Sequence, residues 1–141
     1  MSVDSDHLPR PLAEPRPADT GDPRWRALLE SRWRARLLEV TELSLAYHDA
    51  AAAPVRSRGE DSRSADSRSA DSGAAPGGRQ LRRLLNQAVA ARRALADTEE
   101  ALVRLASGHF GRCEHCAAPI PTAQLAFEPE VRYCPRCAGG R

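Results

Sequence analysis

Apolar residues recur every three or four positions through residues 22–53, which is the period of an amphipathic helix. Asp22 and Pro23 suit the N-cap and the first helical position, so the helix is predicted to begin there. It is predicted to end at residue 53, because the residue before Pro54 is disfavoured in helical conformation. The apolar stripe of this helix comprises Trp25, Leu29, Trp33, Leu37, Val40, Leu43 and Tyr47.

Residues 79–107 contain a second apolar stripe whose spacings alternate between three and four, the seam of a coiled coil. Gly108 follows as a glycine suited to end the helix. The first helix carries bulky side chains along its stripe and the second carries smaller ones along its seam. Close packing of large against small side chains favours an antiparallel hairpin with Trp25 near Leu102. An ordinary helical bundle or a homodimeric coiled coil would show the same pattern. The seam comprises Leu81, Leu84, Ala88, Ala91, Leu95, Thr98, Leu102 and Leu105.

The segments outside these stripes are polar. Residues 1–21 hold four prolines among polar residues and are predicted to form a disordered tail. Residues 54–78 are rich in Ser, Gly, Asp and Arg, carry the sequence SRSAD twice in tandem, and are predicted to form a loop. About 90 residues are then left for ordered structure, which is marginal for a core stabilised by apolar burial alone.

The four cysteines could hold a metal ion that supplies additional stability. Their pattern is C-x2-C-x17-C-x2-C, which is typical of a four-cysteine zinc site. Four protein ligands leave no open position for a catalytic water, so one structural Zn²⁺ is predicted within a finger of residues 108–141. A redox C-x-x-C motif or two disulfides are the competing interpretations, and His109 or His115 could replace a cysteine as ligand. The predicted ligands are Cys113, Cys116, Cys134 and Cys137.

The overall charge does not indicate indiscriminate binding to nucleic acid. The net charge is +2, all 21 Lys and Arg residues are Arg, and basic and acidic residues are interspersed, so no strongly basic face is expected. No apolar segment resembles a signal peptide or a membrane span, and a monomeric, cytoplasmic protein without membrane association is expected. The chain offers no nucleophile and base, no phosphate loop and no open metal position, which argues against an enzyme.

A family resemblance rests on residues 101–137, which read ALVRLASGHFGRCEHCAAPIPTAQLAFEPEVRYCPRC. This segment resembles the C-terminal part of the DksA/TraR family, in which a helix runs into G-x-[YF]-G-x-C-x-x-C-G-x-x-I, then an RLEARP-like stretch, then C-x-x-C. The matching residues are Ala101, Leu102, Arg104, Leu105, Gly108, Phe110, Gly111, Cys113, Cys116, Ile120, Leu125, Ala126, Pro129, Cys134 and Cys137.

The resemblance implies a mainly α fold: an antiparallel two-helix coiled-coil hairpin over residues 22–107 and a small C-terminal four-cysteine zinc finger. It also implies a transcriptional regulator that contacts no DNA. In this family the coiled coil enters the secondary channel of bacterial RNA polymerase, and an acidic tip acts near the catalytic centre. In some members the alarmone ppGpp strengthens the effect.

Three departures from the family pattern change these expectations. Ala117 replaces the glycine after the second cysteine, where a positive φ is expected. Glu128 and Ala138 stand where the best-known members carry cations, so a weak or absent response to ppGpp is expected. The family's D-x-x-D-x-A tip motif is missing, and the candidate tip acids are Asp61, Asp66 and Asp71 in a loop of nearly balanced charge. That loop is either a flexible linker or a degenerate acidic tip.

Two functions of different classes remain open from the sequence. The first is a polymerase regulator that enters the secondary channel, without sequence-specific DNA binding and without sensitivity to ppGpp. The second is a zinc-ribbon module that binds another protein or RNA and has no activity in the polymerase channel. A hairpin that folds but no longer regulates is a third possibility.

Overall fold

A computed structural model describes residues 19, 21–57 and 76–140 of the chain. These ranges contain four helices and no strand: α1 (Pro23–Ser57), α2 (Pro76–Ala106), α3 (Thr122–Phe127) and α4 (Pro135–Ala138). One isolated antiparallel bridge pairs Arg112 with Pro119. The two long helices pack against each other and the four cysteines cluster near the C-terminal end, which confirms the predicted fold class.

Both long helices extend further than the sequence indicated. α1 continues past Pro54 to Ser57, so the predicted end at residue 53 is wrong. A proline inside a helix removes one backbone hydrogen bond, and the alanines at 50–53 are strong helix formers that carry the helix through it. α2 begins at Pro76 rather than at residue 79, because proline at the first helical position needs no hydrogen-bond partner for its nitrogen.

The described residues 30–57 and 76–99 form one compact unit, in which α1 and α2 pack along the predicted seam. All the seam positions of α2 in this unit are buried or half-buried, and Ala91 and Thr98 are the most enclosed of them. The Thr98 hydroxyl donates to the Ala94 carbonyl at 2.9 Å, so its burial leaves no polar atom unsatisfied. The Trp33 indole Nε1 donates to Glu99 Oε1 at 3.2 Å and joins the two helices across the seam.

The stripe of α1 differs from its prediction at one position. Leu37 is 41% exposed, and the neighbouring Arg36, whose side chain is 38% exposed, pairs with Glu39 at 3.1 Å. The half-buried positions from Trp33 through Arg36 to Val40 keep the alternation of three and four that a coiled-coil seam requires. The aliphatic part of an arginine can cover apolar surface, so Arg36 takes the seam position and Leu37 lies beside it.

The described residues 19, 21–29 and 100–140 form a second compact unit. Here the first turns of α1 and the last turns of α2 share one core with the cysteine segment. Trp25 packs against Phe110 with ring centroids 5.5 Å apart, and Leu102 borders the same cluster. The buried members of this core are Trp25, Leu29, Ala101, Leu105, Phe110, Cys113, Ile120, Leu125 and Cys134.

Within the described ranges, no helix has the length and apolar character needed to cross a membrane.

Candidate metal centre

Two short turns present the cysteines. In the first turn, the Cys113 amide donates to the Ala118 carbonyl and the Ala117 amide donates to the Cys113 carbonyl, both at 2.9 Å. In the second, Cys134 precedes α4 as its N-cap, and the Cys137 amide donates to the Cys134 carbonyl at 3.0 Å. Both turns are therefore closed by backbone hydrogen bonds, which leaves the sulfurs available to a metal ion.

The four thiols converge on one point. Their Sγ atoms all lie within 4.8 Å of one another, and Sγ of Cys116 is 3.7 Å from Sγ of Cys134. In a tetrahedral site with Zn–S distances of about 2.3 Å, neighbouring sulfurs are about 3.8 Å apart. The donor set and its spacing therefore fit a four-coordinate metal ion such as Zn²⁺. All four are free cysteines, of which Cys113 and Cys134 are buried.

The protein environment prepares two of these thiols for ionisation. Burial disfavours the Cys113 thiolate, but backbone N–H groups of Cys134, Cys116 and His115 donate to it and lower its pKa to about 6. The backbone N–H of Cys137 lowers the pKa of Cys134. Side-chain hydrogen bonds with Cys116 and Cys134 raise the pKa of Cys137 to about 12. A metal ion that binds all four sulfurs at neutral pH therefore displaces a proton from Cys137.

The two nearby histidines lie in different surroundings. His115 Nδ1 is 3.6 Å from Sγ of Cys137, a hydrogen-bond contact with a candidate ligand. His109 Nδ1 is 3.0 Å from the Ser107 hydroxyl, which places it at the end of α2. Four sulfurs are enough for a four-coordinate metal ion, and His115 contacts one of them without being needed as a ligand.

A charged network ties the cysteine segment to α2, and the sequence did not reveal it. The largely buried Arg104 pairs with Glu114 at 3.1 Å and donates to the Glu130 carbonyl at 3.0 Å. Arg132 forms an ion pair with Glu100 and lies 4.0 Å from Glu114. Because Glu114 lies between the first two cysteines, these contacts set the position of the first turn against the helix. Arg104 stood out in the sequence only as a family match.

Comparisons with known proteins agree with this architecture. No family model matches the sequence. The solved structure of transcription factor DksA2 from Pseudomonas aeruginosa superposes with a TM-score of 0.50, covering 86% of this chain and 84% of that one at 22% identity. The chain has the DksA2 fold. The family resemblance inferred from the cysteine motif is thereby confirmed at the level of the fold.

A second match is limited to a short stretch. A protein of Aquifex aeolicus (strain VF5), described as uncharacterized, is 39% identical over 44 residues. The stretch spans 31% of this chain and 30% of that protein. It supports local similarity and carries no information about activity.

The residues that depart from the DksA pattern lie at different positions in the structure. Glu128 and Ala138 are both exposed, Glu128 at the end of α3 and Ala138 at the end of α4. The candidate tip acids Asp61, Asp66 and Asp71 lie outside the described residues, and their role stays a prediction. Ala117 has φ 59°, as the sequence predicted, and among the described residues it is the only non-glycine with a positive φ.

Ala117→Gly is expected to stabilise the folded protein. The left-handed conformation costs an L-residue about 1–2 kcal/mol, while the greater freedom of glycine in the unfolded chain returns about 0.5–1 kcal/mol of that gain. The free energy of unfolding of the metal-loaded protein, measured by thermal unfolding, should therefore rise by up to about 1 kcal/mol. Ala118→Gly, at a neighbour with ordinary backbone geometry, is the control and should destabilise. Equal destabilisation by both substitutions would contradict the prediction.

Proposed function

We propose that this protein is a transcriptional regulator that binds bacterial RNA polymerase through its secondary channel without contacting specific DNA sequences. The observation that carries the proposal is the DksA2-like fold, found over 86% of the chain, combined with the convergent four-cysteine cluster. The neighbouring structure is named a transcription factor. In this proposal α1 and α2 are the elements that would enter the channel.

The metal centre has a structural role in this proposal. Cys113, Cys116, Cys134 and Cys137 would hold one Zn²⁺, and four thiolates would fill its coordination shell. Bound zinc would supply folding stability to a segment whose core is small. Two of the four sulfurs are also buried among the apolar residues of that core, so ligation and packing would support the same backbone conformation.

Polymerase binding is tested directly with purified components. The metal-loaded protein, immobilised, should retain core RNA polymerase, and it should change the yield of run-off transcription from sensitive promoters. A protein in which the four cysteines are alkylated under denaturing conditions serves as the unfolded control. Failure of the native protein to retain polymerase at micromolar concentrations would overturn the proposal.

Substitution of the tip acids should distinguish polymerase binding from regulation. Changing Asp61, Asp66 and Asp71 together to Asn should abolish the effect on transcription and leave polymerase retention unchanged, because removal of charge at a tip alters only what the tip approaches. A companion variant replaces residues 58–75 with a short Gly-Ser connection, which preserves both helices as described. Full regulation by that shortened protein would show that the loop is only a linker.

The response to ppGpp should be weak or absent. A polyphosphate requires several converging cations, and Glu128 and Ala138 replace two of them with an anion and a methyl group. Labelled ppGpp titrated into a mixture of this protein and polymerase should therefore show no saturable micromolar binding beyond that of polymerase alone. Binding that appears only when the protein is present would contradict this expectation.

One observation favours the second candidate function, a zinc-ribbon module that binds another protein. Phe127, at the end of α3, is 83% exposed, and large aromatic residues are common anchors of protein interfaces. If this candidate is right, Phe127→Ala should remove the partner while polymerase retention is absent in both proteins. If the regulator is right, Phe127→Ala should leave tip-dependent regulation intact.

A further inference from the structure

The first two thirds of α2 carry an unusual charge distribution. Residues 76–96 contain five arginines and no acidic residue, although the whole chain has a net charge of only +2. The acidic residues of α2 begin at Asp97. The near-neutral total therefore conceals a basic segment, and the expectation of evenly mixed charge does not hold for this helix.

Four of the five arginines lie on one face. Arg79, Arg82, Arg83 and Arg93 all project within a narrow arc of the helix at 3.6 residues per turn, opposite the seam that packs on α1. All four side chains are exposed. Over the ~1.5 Å rise of each residue, this basic face of α2 extends about 20 Å.

These arginines are available for a ligand. Within the part of the chain that the structure describes, none of the four forms an ion pair or a side-chain hydrogen bond. The arginines of α1 differ, because Arg34 pairs with Glu30 and Arg36 pairs with Glu39. Arg79, Arg82 and Arg83 also surround one open depression together with Asn86 and Gln87, which adds amide donors to the guanidinium groups.

We propose that the basic face of α2 binds the phosphodiester backbone of a nucleic-acid duplex without regard to sequence. Duplex DNA carries one negative charge per ~1.7 Å of its axis, so a row of guanidinium groups about 20 Å long meets several phosphates at once. Guanidinium groups also form bidentate hydrogen bonds with phosphate oxygens. This activity is independent of polymerase binding and goes beyond the proposed regulatory function.

An acidic protein surface fits the same face less well. Protein interfaces depend on a buried apolar centre with aromatic or large aliphatic anchors. The residues between the four arginines on this face are Asn86 and Ala90, and neither can serve as such an anchor. Of the two exposed apolar residues nearby, Leu85 lies toward Arg92 beside the seam, whereas Val89 borders the basic face one turn before Arg93. Valine is under-represented among the residues that anchor protein interfaces. Phosphate binding requires no apolar centre, and charge alone is sufficient for it.

The same composition predicts how binding should respond to salt and to strandedness. Neutralising four phosphates of a duplex releases counterions and gives a slope of about −3.6 in log K against log salt, at about −0.9 for each phosphate. Single strands should bind more weakly, because they have a lower charge density and the face offers no aromatic side chain for bases to stack on.

The experiment measures fluorescence anisotropy of labelled duplex DNA, duplex RNA and single-stranded RNA of mixed sequence, with the full-length protein and no polymerase. Both duplexes should bind with the steep salt slope, and scrambling their sequence should not change the affinity. The triple variant Arg79→Gln, Arg82→Gln and Arg83→Gln should reduce the slope for duplex DNA to about −0.9, since one phosphate contact remains.

The matched control removes the same charge from α1 through Arg24→Gln, Arg26→Gln and Arg34→Gln, three exposed arginines outside its seam, and circular dichroism checks that both triple variants stay helical. The control should retain most of the affinity. Equal losses in the two variants, a flat salt dependence, or no binding at low salt would each overturn the proposal. Displacement of the duplex by polyglutamate at equal charge concentration would also overturn it, in favour of an acidic protein partner.

Discussion

Cys116→Ser and Cys113→Ser should each abolish stoichiometric metal binding and unfold the residues around the metal centre. A serine hydroxyl is a poor zinc ligand, and removal of one sulfur opens a site that depends on four. Structural zinc contributes an apparent folding free energy of about 10–16 kcal/mol in small modules, which is as large as the whole stability of many domains, about 5–15 kcal/mol. Loss of that contribution cannot be offset by the few buried apolar residues nearby.

The two substitutions together separate ligation from packing. Cys113 is buried in the core with Ile120 and Leu125, whereas Cys116 is exposed. If metal binding is the cause of stability, both variants should lose metal and unfold alike, and a chelator should reproduce the effect in the unmodified protein. If packing is the cause, only Cys113→Ser should be harmful. Metal content per chain, measured by inductively coupled plasma mass spectrometry, distinguishes the two results.

The chain contains only two tryptophans, which allows this unfolding to be followed locally. In a Trp33→Phe background, Trp25 is the single fluorophore and lies in the core that includes Cys113 and Cys134. Its emission should shift to longer wavelength on metal removal. A Cys116→Ser protein that keeps one metal ion per chain and an unshifted Trp25 emission would contradict the assignment of the site.

The parts of the fold that the sequence predicted correctly are those with local physical causes. The seam of α2 follows from an uninterrupted alternation of apolar spacings, and each of its members is at least half-buried. The positive φ of Ala117 follows from the turn geometry of a cysteine knuckle. The convergence of the four sulfurs follows from the spacing of two C-x-x-C pairs, which brings both into reach of one metal ion.

The parts that it missed depend on competition or on distant residues. Leu37 and Leu38 are both apolar, so local pattern alone could not show that Arg36 would hold the seam position. Pro54 disfavours helical conformation at the residue before it, whereas the four alanines at 50–53 favour it. The helix continues to Ser57, so the preference of the alanines decides the conformation there. Arg104 contacts Glu114 and the Glu130 carbonyl, which are 10 and 26 residues away, and no local period records such pairs.

Trp25→Ala should be the most damaging substitution outside the metal centre. The Trp25 side chain is 4% exposed, and its ring packs on Phe110 at a centroid distance of 5.5 Å and an angle of 50°. Truncation of a buried aromatic residue costs about 3–5 kcal/mol, from lost burial and from the cavity that remains. Because a typical domain has about 5–15 kcal/mol of stability, the variant should unfold at much lower urea concentration.

Trp33→Ala is the matched comparison, because it removes the same side chain from the same helix. Trp33 is only half-buried and belongs to the unit of residues 30–57 and 76–99, where its loss breaks one exposed hydrogen bond to Glu99. Its cost should therefore be smaller, and it should not lower metal affinity. Trp25→Ala should lower metal affinity as well as stability, since the Trp25 core also holds Cys113 and Cys134. Urea unfolding followed by circular dichroism, with metal affinity from chelator competition, tests both effects. Equal costs for the two substitutions, or unchanged metal affinity in Trp25→Ala, would show that Trp25 does not support the metal centre.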